Sequence, residues 1–356
     1  MSYSSTAYVP EKHREGLTKL WREDFLDAKI RDHVDERMRW LYEQNPRGPA
    51  TTYLSLVAED ETVVGCATYF PRHVLVHGKD TRAGVLCDFA VDKHHRIAGA
   101  AIAVQRGLAK TSWPSQFRFL FGFPNEGSVA VCKRVGYKVV GSTTTWVKPL
   151  RSGYKVRTFT PAPFMVKPAA AIVDAGLSVV DKTLGALIGG ASPVEELDVP
   201  DQRFDRLWER ARPSRGVLGE RTRDYLEWRY TRFTTHKHWF FCMTKDDGRE
   251  LAGYVAYSLE DNHAILQDLF CENFEEAADA LLIALAQHLR QKNVWSIVLS
   301  YLGPSIFGER LARLGFFKRP GERVMVVYLD AALPDAEKRE ILDPANWFML
   351  DGELDI

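Results

Sequence analysis

A chain of 356 residues is long for one hydrophobic core, which rarely grows past about 250–300 residues, and comfortable for two. With 46% hydrophobic and 26% charged residues, its composition is globular and excludes a disordered chain. Lysine plus arginine equals aspartate plus glutamate, 47 each, so no global field draws the protein onto nucleic acid or an anionic membrane, and any anion site must be local. The five cysteines, Cys66, Cys87, Cys132, Cys242 and Cys271, are odd in number and form no C-x-x-C pair, which argues against a disulfide framework and against a metal site. The N-terminus, MSYSSTAYVPEKHREG, has no basic-then-apolar secretory pattern, and the expectation is a cytoplasmic protein.

In chain order, the first half reads as mixed α and β. Apolar alternation over 53–60, 62–77 and 83–91 gives strands, the middle one opening a hairpin. An Ala-rich helical pattern follows over 98–111, then a strand at 117–124, a short helix at 127–135 and a last strand at 137–150. The central stretch, 161–190, is the most membrane-like, but Lys167, Asp174, Asp181 and Lys182 interrupt it before about 20 apolar residues accumulate, so no transmembrane segment is expected. There Ile172, Val179, Val180, Leu184 and Leu187 share one helical stripe while Asp174 and Asp181 share another. A linker helix packed on both halves suits this pattern better than a membrane-surface helix, because the polar face lacks a Lys/Arg excess.

The second half repeats the spacing of the first. Trp40 and Tyr42 match Trp228 and Tyr230 at an offset of 188, and each Trp precedes by 25 residues a glycine on a strand, Gly65 and Gly253. Asp88 in VLCDFAVD then matches Asp268 in ILQDLFCE at 180, which implies eight residues lost from the second hairpin, and Gly136 matches Gly315 at 179. Anchors held in register through one deletion indicate a duplicated unit.

The junction DFAVDKHHRIAGAAIAVQRGL places Arg96, Ile97, Ala98, Gly99, Ala100 and Ala101 where strand turns into helix. Unpaired N–H groups and the positive dipole end of a helix suit an anion there, and small side chains let it approach; a helix-packing role for Gly99 is the alternative. With Asn125, Ser128, Gly136 and Tyr137 further on, the first unit resembles a GCN5-related N-acetyltransferase (GNAT). The resemblance implies a fold of two GNAT-like domains in tandem, an α/β arrangement in which each mixed, mostly antiparallel sheet is splayed and flanked by helices. The division expected is 1–150 for the acyl-CoA-binding domain, 151–200 for a helical linker and 201–356 for a degenerate second copy. It further implies that acetyl-CoA or another acyl-CoA is the co-substrate. Main-chain groups of residues 96–101 would bind its diphosphate, and Phe89, Ala90 and Val91 its pantetheine arm, with Asn125 and Ser128 completing the site. Arg96, Lys133 and Arg134 are nearby cations that could neutralise phosphate or simply line a solvated face. In the second copy Glu272, Glu275 and Glu276 replace the cations, the loop has no glycine, and Pro304 and Phe307 stand in place of Asn125 and Ser128, so one working site is expected.

Acyl transfer to an amine requires a base, a stabilised oxyanion and a protonated leaving thiolate. Asp88, an acid on an apolar strand, is the candidate base, although it could equally hydrogen-bond the backbone at the splay, and its recurrence as Asp268 favours that role. Cys132 stands where the family usually has a tyrosine that protonates the thiolate. The segments DYLEWRY and NWFMLDGELDI resemble bacterial GNAT-type proteins of exopolysaccharide and capsule assembly, which implies a small-molecule amine acceptor, such as an amino sugar, with no nucleic-acid partner. A homodimer is left open. Two rivals stand beside this reading: a Fem-type aminoacyl transferase, disfavoured by the neutral charge balance, and a non-catalytic GNAT-like binding or scaffold protein.

Overall fold

The structure is a computed structural model that describes residues 2–25, 28–96, 98–110, 117–153, 163–188, 193–212, 216–233 and 236–354. Ile97, one of the residues expected at the diphosphate turn, lies outside them, as do residues 154–162 and 189–192 around the central helix.

The first half builds β1 (Tyr3–Ala7), α1 (Pro10–Asp24), α2 (Ala28–Asp32), α3 (Val34–Tyr42), β2 (Thr51–Val57), β3 (Val63–Val76), β4 (Lys79–Val91), α4 (Ala98–Lys110), β5 (Phe119–Gly122), α5 (Glu126–Val135), β6 (Lys138–Ser142) and β7 (Thr144–Pro149). A long helix, α6 (Pro163–Ile188), leads to the second half. That half comprises β8 (Val194–Leu197), α7 (Gln202–Ala211), β9 (Val217–Gly219), α8 (Arg223–Glu227), β10 (His238–Lys245), β11 (Glu250–Glu260), β12 (His263–Cys271), α9 (Phe274–Gln291), β13 (Ser296–Tyr301), α10 (Ser305–Arg313), β14 (Phe317–Arg319), β15 (Val324–Leu329) and α11 (Asp335–Leu342).

Two mixed sheets result, flanked by helices, as the expected fold class requires. One runs β1-β2-β3-β4-β5-β15-β6 with β9 paired to β3, and the other β14-β7-β13-β12-β11-β10-β8. Their orders show that the halves exchange strands. β7 leaves the first sheet to lie between β13 and β14, while β15 leaves the second to lie between β5 and β6. The stretch 137–150, read from sequence as one strand, is therefore two strands in two sheets. The break falls at buried Thr143, whose N–H donates to the Arg323 carbonyl (3.0 Å) while Arg323 N–H donates back to Thr143 Oγ1 (3.0 Å). Because β7 lies within residues 1–150 yet pairs in the other sheet, the sheets do not follow a chain boundary at 150.

The offset of 188 appears as a physical contact. Trp40 and Trp228 stack at 4.6 Å with planes 13° apart, and each indole N–H donates to the other's backbone carbonyl at 2.9 and 3.0 Å. Around them one core draws on both halves, with Phe70, Phe121, Met325, Val327 and Trp347 among its members. The residues missing from the second hairpin also have a purpose in the first. The far end of β3, Val74–Val76, pairs with β9 of the second half, a further tie that β11, ending at Glu260 beside His263, does not reach.

The central helix corrects its sequence reading. Ile172, Val179, Val180 and Leu187, expected to pack inward, are exposed, while Asp181 is buried at 1% exposure. Ion pairs decide this orientation: Asp181 accepts from Lys148 Nζ (2.7 Å) and from Arg290 Nη2 (2.7 Å) and Nε (3.1 Å). Burial lowers the Lys148 pKa, and the helix that brings Asp181 down neutralises that charge.

Candidate active site

β4 positions the candidate site. It pairs in parallel with β5 only from Ala83↔Phe119 to Val85↔Phe121, then continues to Val91 alongside β3 alone. Gly122 marks the divergence, since a Cβ there would lie 2.7 Å from Leu86 Cβ. Past Val85 no strand among the described residues lies beside the β5-facing edge of β4, which runs through Phe89, Ala90 and Val91, so main-chain groups on that edge can meet an extended ligand, although the Val91 carbonyl already accepts from Arg96 Nε (3.1 Å). A bulge shapes this edge: Cys66 pairs with Ala90 and Thr68 with Cys87, so Asp88 and Phe89 stand opposite Ala67 alone.

Asp88 holds the bulge. Its φ is +48°, a left-handed conformation that aspartate tolerates better than most residues. Its carboxylate is buried and accepts from Arg37 Nη2 (2.6 Å) and Nε (2.9 Å), while Cys66 Sγ donates to its carbonyl at 3.1 Å. The second half repeats the device. Asp268, beside a bulge in β12, accepts from Arg221 Nε and Nη2 at 3.0–3.1 Å and from the Tyr254 hydroxyl at 2.6 Å. Of the two roles expected for Asp88, this engagement in both copies favours the anchor of the splay over the general base.

Cys132 is 2% exposed among Tyr53, Tyr69, Leu108 and Tyr137, and burial pushes its thiol up to about 12, an environment that suits core packing. Asn125 caps α5, its Oδ1 accepting from Ser128 N–H (2.9 Å) and Ser128 Oγ (2.8 Å), so these two side chains order the helix next to the gap.

The turn between β4 and α4 is drawn tight by acids. Lys93 N–H donates to Asp24 (2.9 Å), Arg96 reaches Asp24 at 3.4 Å and the Val91 carbonyl at 3.1 Å, and His94 N–H donates to Asp92 (2.7 Å). Beyond it Ala98, Gly99, Ala100 and Ala101 form the first turn of a 13-residue helix, where N–H groups have no preceding turn to pair with. Gly99 has a packing reason too, because a Cβ would meet the Tyr3 ring at 3.1 Å. Ala100 is fully buried, so only the backbone of that residue can serve a ligand.

Sequence reasoning missed Arg37, whose charge on α3 carried no local motif. It also missed the hydroxyl cluster beside the bulge. The Tyr42 hydroxyl contacts Thr52 and Thr68, which lie 2.7 Å apart. Burial, and then the charges of Asp88 and Cys87, hold the Tyr42 pKa well above its ordinary value.

In the second half the equivalent gap is filled. β12 and β13 pair only from His263↔Ser296 to Ile265↔Val298, and residues 347–354 lie across the divergence. Met349 and Leu302 exchange backbone hydrogen bonds at 2.9 and 3.1 Å, Asp351 accepts from Ser300 N–H (2.8 Å), and Phe348 packs on Phe274, Tyr301 and Phe307. Arg229 clamps the segment through the Gly352 and Leu354 carbonyls at 3.0 and 2.6 Å.

The comparisons with known proteins bear on the fold that carries this strand and helix. Residues 7–140 match the family model described as an acetyltransferase (GNAT) domain. That GNAT match ends within β6, just short of the exchange point. No curated protein matches the chain. Among solved structures, the chain is similar to a GCN5-related N-acetyltransferase from Anabaena variabilis (TM-score 0.63, 12% identity, covering 92% of this chain and 72% of that one). It is also similar to a conserved protein of unknown function from Enterococcus faecalis, titled a probable N-acyltransferase (0.61, 11%, 92% and 72%). A third similar structure is Saccharomyces cerevisiae N-myristoyltransferase with bound myristoyl-CoA (0.57, 12%, 92% and 82%). At these identities the likeness is one of fold. Among the described residues no cluster of histidine, cysteine or acids could hold a metal ion, and no helix is long and apolar enough to cross a membrane.

Proposed function

We propose that the protein is an acyl-CoA-dependent N-acyltransferase with a single carrier site, in the first half, and an amine acceptor bound where the two halves face each other. The observation that carries this reading is the edge of β4 past Val85, open beside the α4 N-terminus, set against its filled counterpart in the second half. Main-chain groups of Phe89, Ala90 and Val91 pair with the pantetheine amides, and the N–H groups of residues 98–101, with Arg96 at the rim, take the diphosphate. The amine nitrogen attacks the thioester carbon, the carbon–sulfur bond breaks, and the thiolate and ammonium exchange their proton through solvent. With Asp88 and Cys132 in structural roles, the chain contributes carrier binding, orientation and main-chain stabilisation of the oxyanion from the bulge. The acceptor class is an amino sugar or sugar nucleotide of surface polysaccharide.

A second reading, a GNAT-like binding protein without turnover, is favoured by that same burial of Asp88 and Cys132. Calorimetry with coenzyme A and acetyl-CoA, followed by thiol release against a panel of amino sugars, separates the two. Binding of both ligands with thiol release supports the enzyme, binding alone the second reading, and binding of neither defeats both. Ala101→Glu is the informative variant. An acid in the first turn suits the helix but repels a diphosphate, so affinity should fall by about tenfold or more, equivalent to about 1.4 kcal/mol, with folding intact.

A further inference from the structure

The outward face of α6 belongs to no site described so far. Five of the eleven exposed large hydrophobic side chains among the described residues lie on this one helix: Ile172 (75% exposed), Val173, Val179, Val180 and Leu187 (77%). With Gly176 and Thr183 they form one continuous stripe, and Ala171, Ala175 and Ala186 flank it. Lys182 is the stripe's one ionisable neighbour; the acids of the helix point the other way. Asp181 is held by Lys148 and Arg290, and Asp174 accepts from Ser152 N–H (2.6 Å) and Oγ (2.8 Å). Leu184 and Ile188 pack on the second-half core. The helix cannot roll its apolar side inward without breaking those pairings, so the apolar stripe is fixed toward solvent.

We propose that this face is a docking surface for an anionic membrane, on which α6 lies in the plane of the lipid headgroups. Two arguments favour lipid over a second copy of the chain. From residue 171 to 187 the stripe is about 24 Å long, and at roughly 10 Å of helix width two copies would bury about 500 Å² in total, well under the ~1,200 Å² of a stable pair. A membrane sets no such threshold, because each aliphatic side chain adds its own burial. Charge points the same way. The polar face of α6 itself carries no Lys/Arg excess; the positive charge lies in the sequence ahead of the stripe, where residues 151–171 carry Arg151, Lys155, Arg157 and Lys167 and no acid occurs before Asp174, in a chain of zero formal net charge. Acidic headgroups attract such a run.

The test is vesicle co-sedimentation of the full chain, comparing phosphatidylglycerol/phosphatidylcholine vesicles with phosphatidylcholine alone, for the natural protein and for the triple variant Ile172→Ser, Val180→Ser, Leu187→Ser. All three side chains are exposed, so thermal melting should not move. Binding to the anionic vesicles that weakens at least tenfold in the variant and on adding salt is the expected result. No binding to anionic vesicles, or equal binding by the variant, overturns the proposal. So does a dimer in light scattering that the variant dissociates, which would assign the face to a second copy.

Discussion

Replacing Arg37 with alanine should unfold the first half more readily than any surface change of similar size. The guanidinium and the Asp88 carboxylate are each about 1% exposed and 2.6 Å apart. Removing one partner leaves the other's charge buried without it, a loss of about 3–5 kcal/mol, against a typical total stability of about 5–15 kcal/mol. Asp88→Asn should cost a comparable amount, because asparagine keeps the left-handed backbone but strands the Arg37 charge. The double variant Arg37→Ala, Asp88→Asn removes both charges, so it should lose at least about 2 kcal/mol less than the sum of the singles. Urea unfolding followed by tryptophan fluorescence and circular dichroism measures the cycle. If Arg37→Ala lies within about 0.5 kcal/mol of the natural protein, or the cycle is additive, the pair is not the anchor of the bulge.

Residues 1–150 expressed alone should not melt cooperatively, because β5 and β6 lose β15 between them and β7 loses its sheet; a folded monomer by calorimetry contradicts the exchange. Burial raises the Asp351 carboxyl to about 6, so the folded state binds the proton more tightly than the unfolded one, and stability falls as pH rises from about 4 through 6. Asp351→Asn, which can still accept from Ser300 N–H, should therefore flatten that slope and gain up to about 3 kcal/mol at pH 7; equal pH profiles for the two proteins would contradict it. Gly352→Ala would set a Cβ 2.7 Å from the Gln267 carbonyl, and should cost about 1–3 kcal/mol and speed proteolysis of the C-terminal segment. Unchanged protease sensitivity would show that this segment does not seal the second gap.

Periodicity and spacing in the sequence determined the order of strands and helices, the duplicated anchors Trp40/Trp228 and Asp88/Asp268, and the small-residue turn at 96–101. These are local properties: a strand alternates, a helix repeats every 3.6 residues, and a copied unit keeps its offsets. Tertiary structure alone decided which sheet each last strand joins, because the alternation along a strand carries no record of which edge it will pair with. It likewise decided that Asp88 is spent on Arg37, 51 positions away in the chain, and that Asp181 turns inward while the aliphatic stripe of α6 faces out. A buried charge must find its counter-charge wherever the fold has placed it, and that long-range demand overrides the local pattern. The filled gap in the second half has the same origin, since nothing near Asp268 announces that residues 347–354 return to lie beside it.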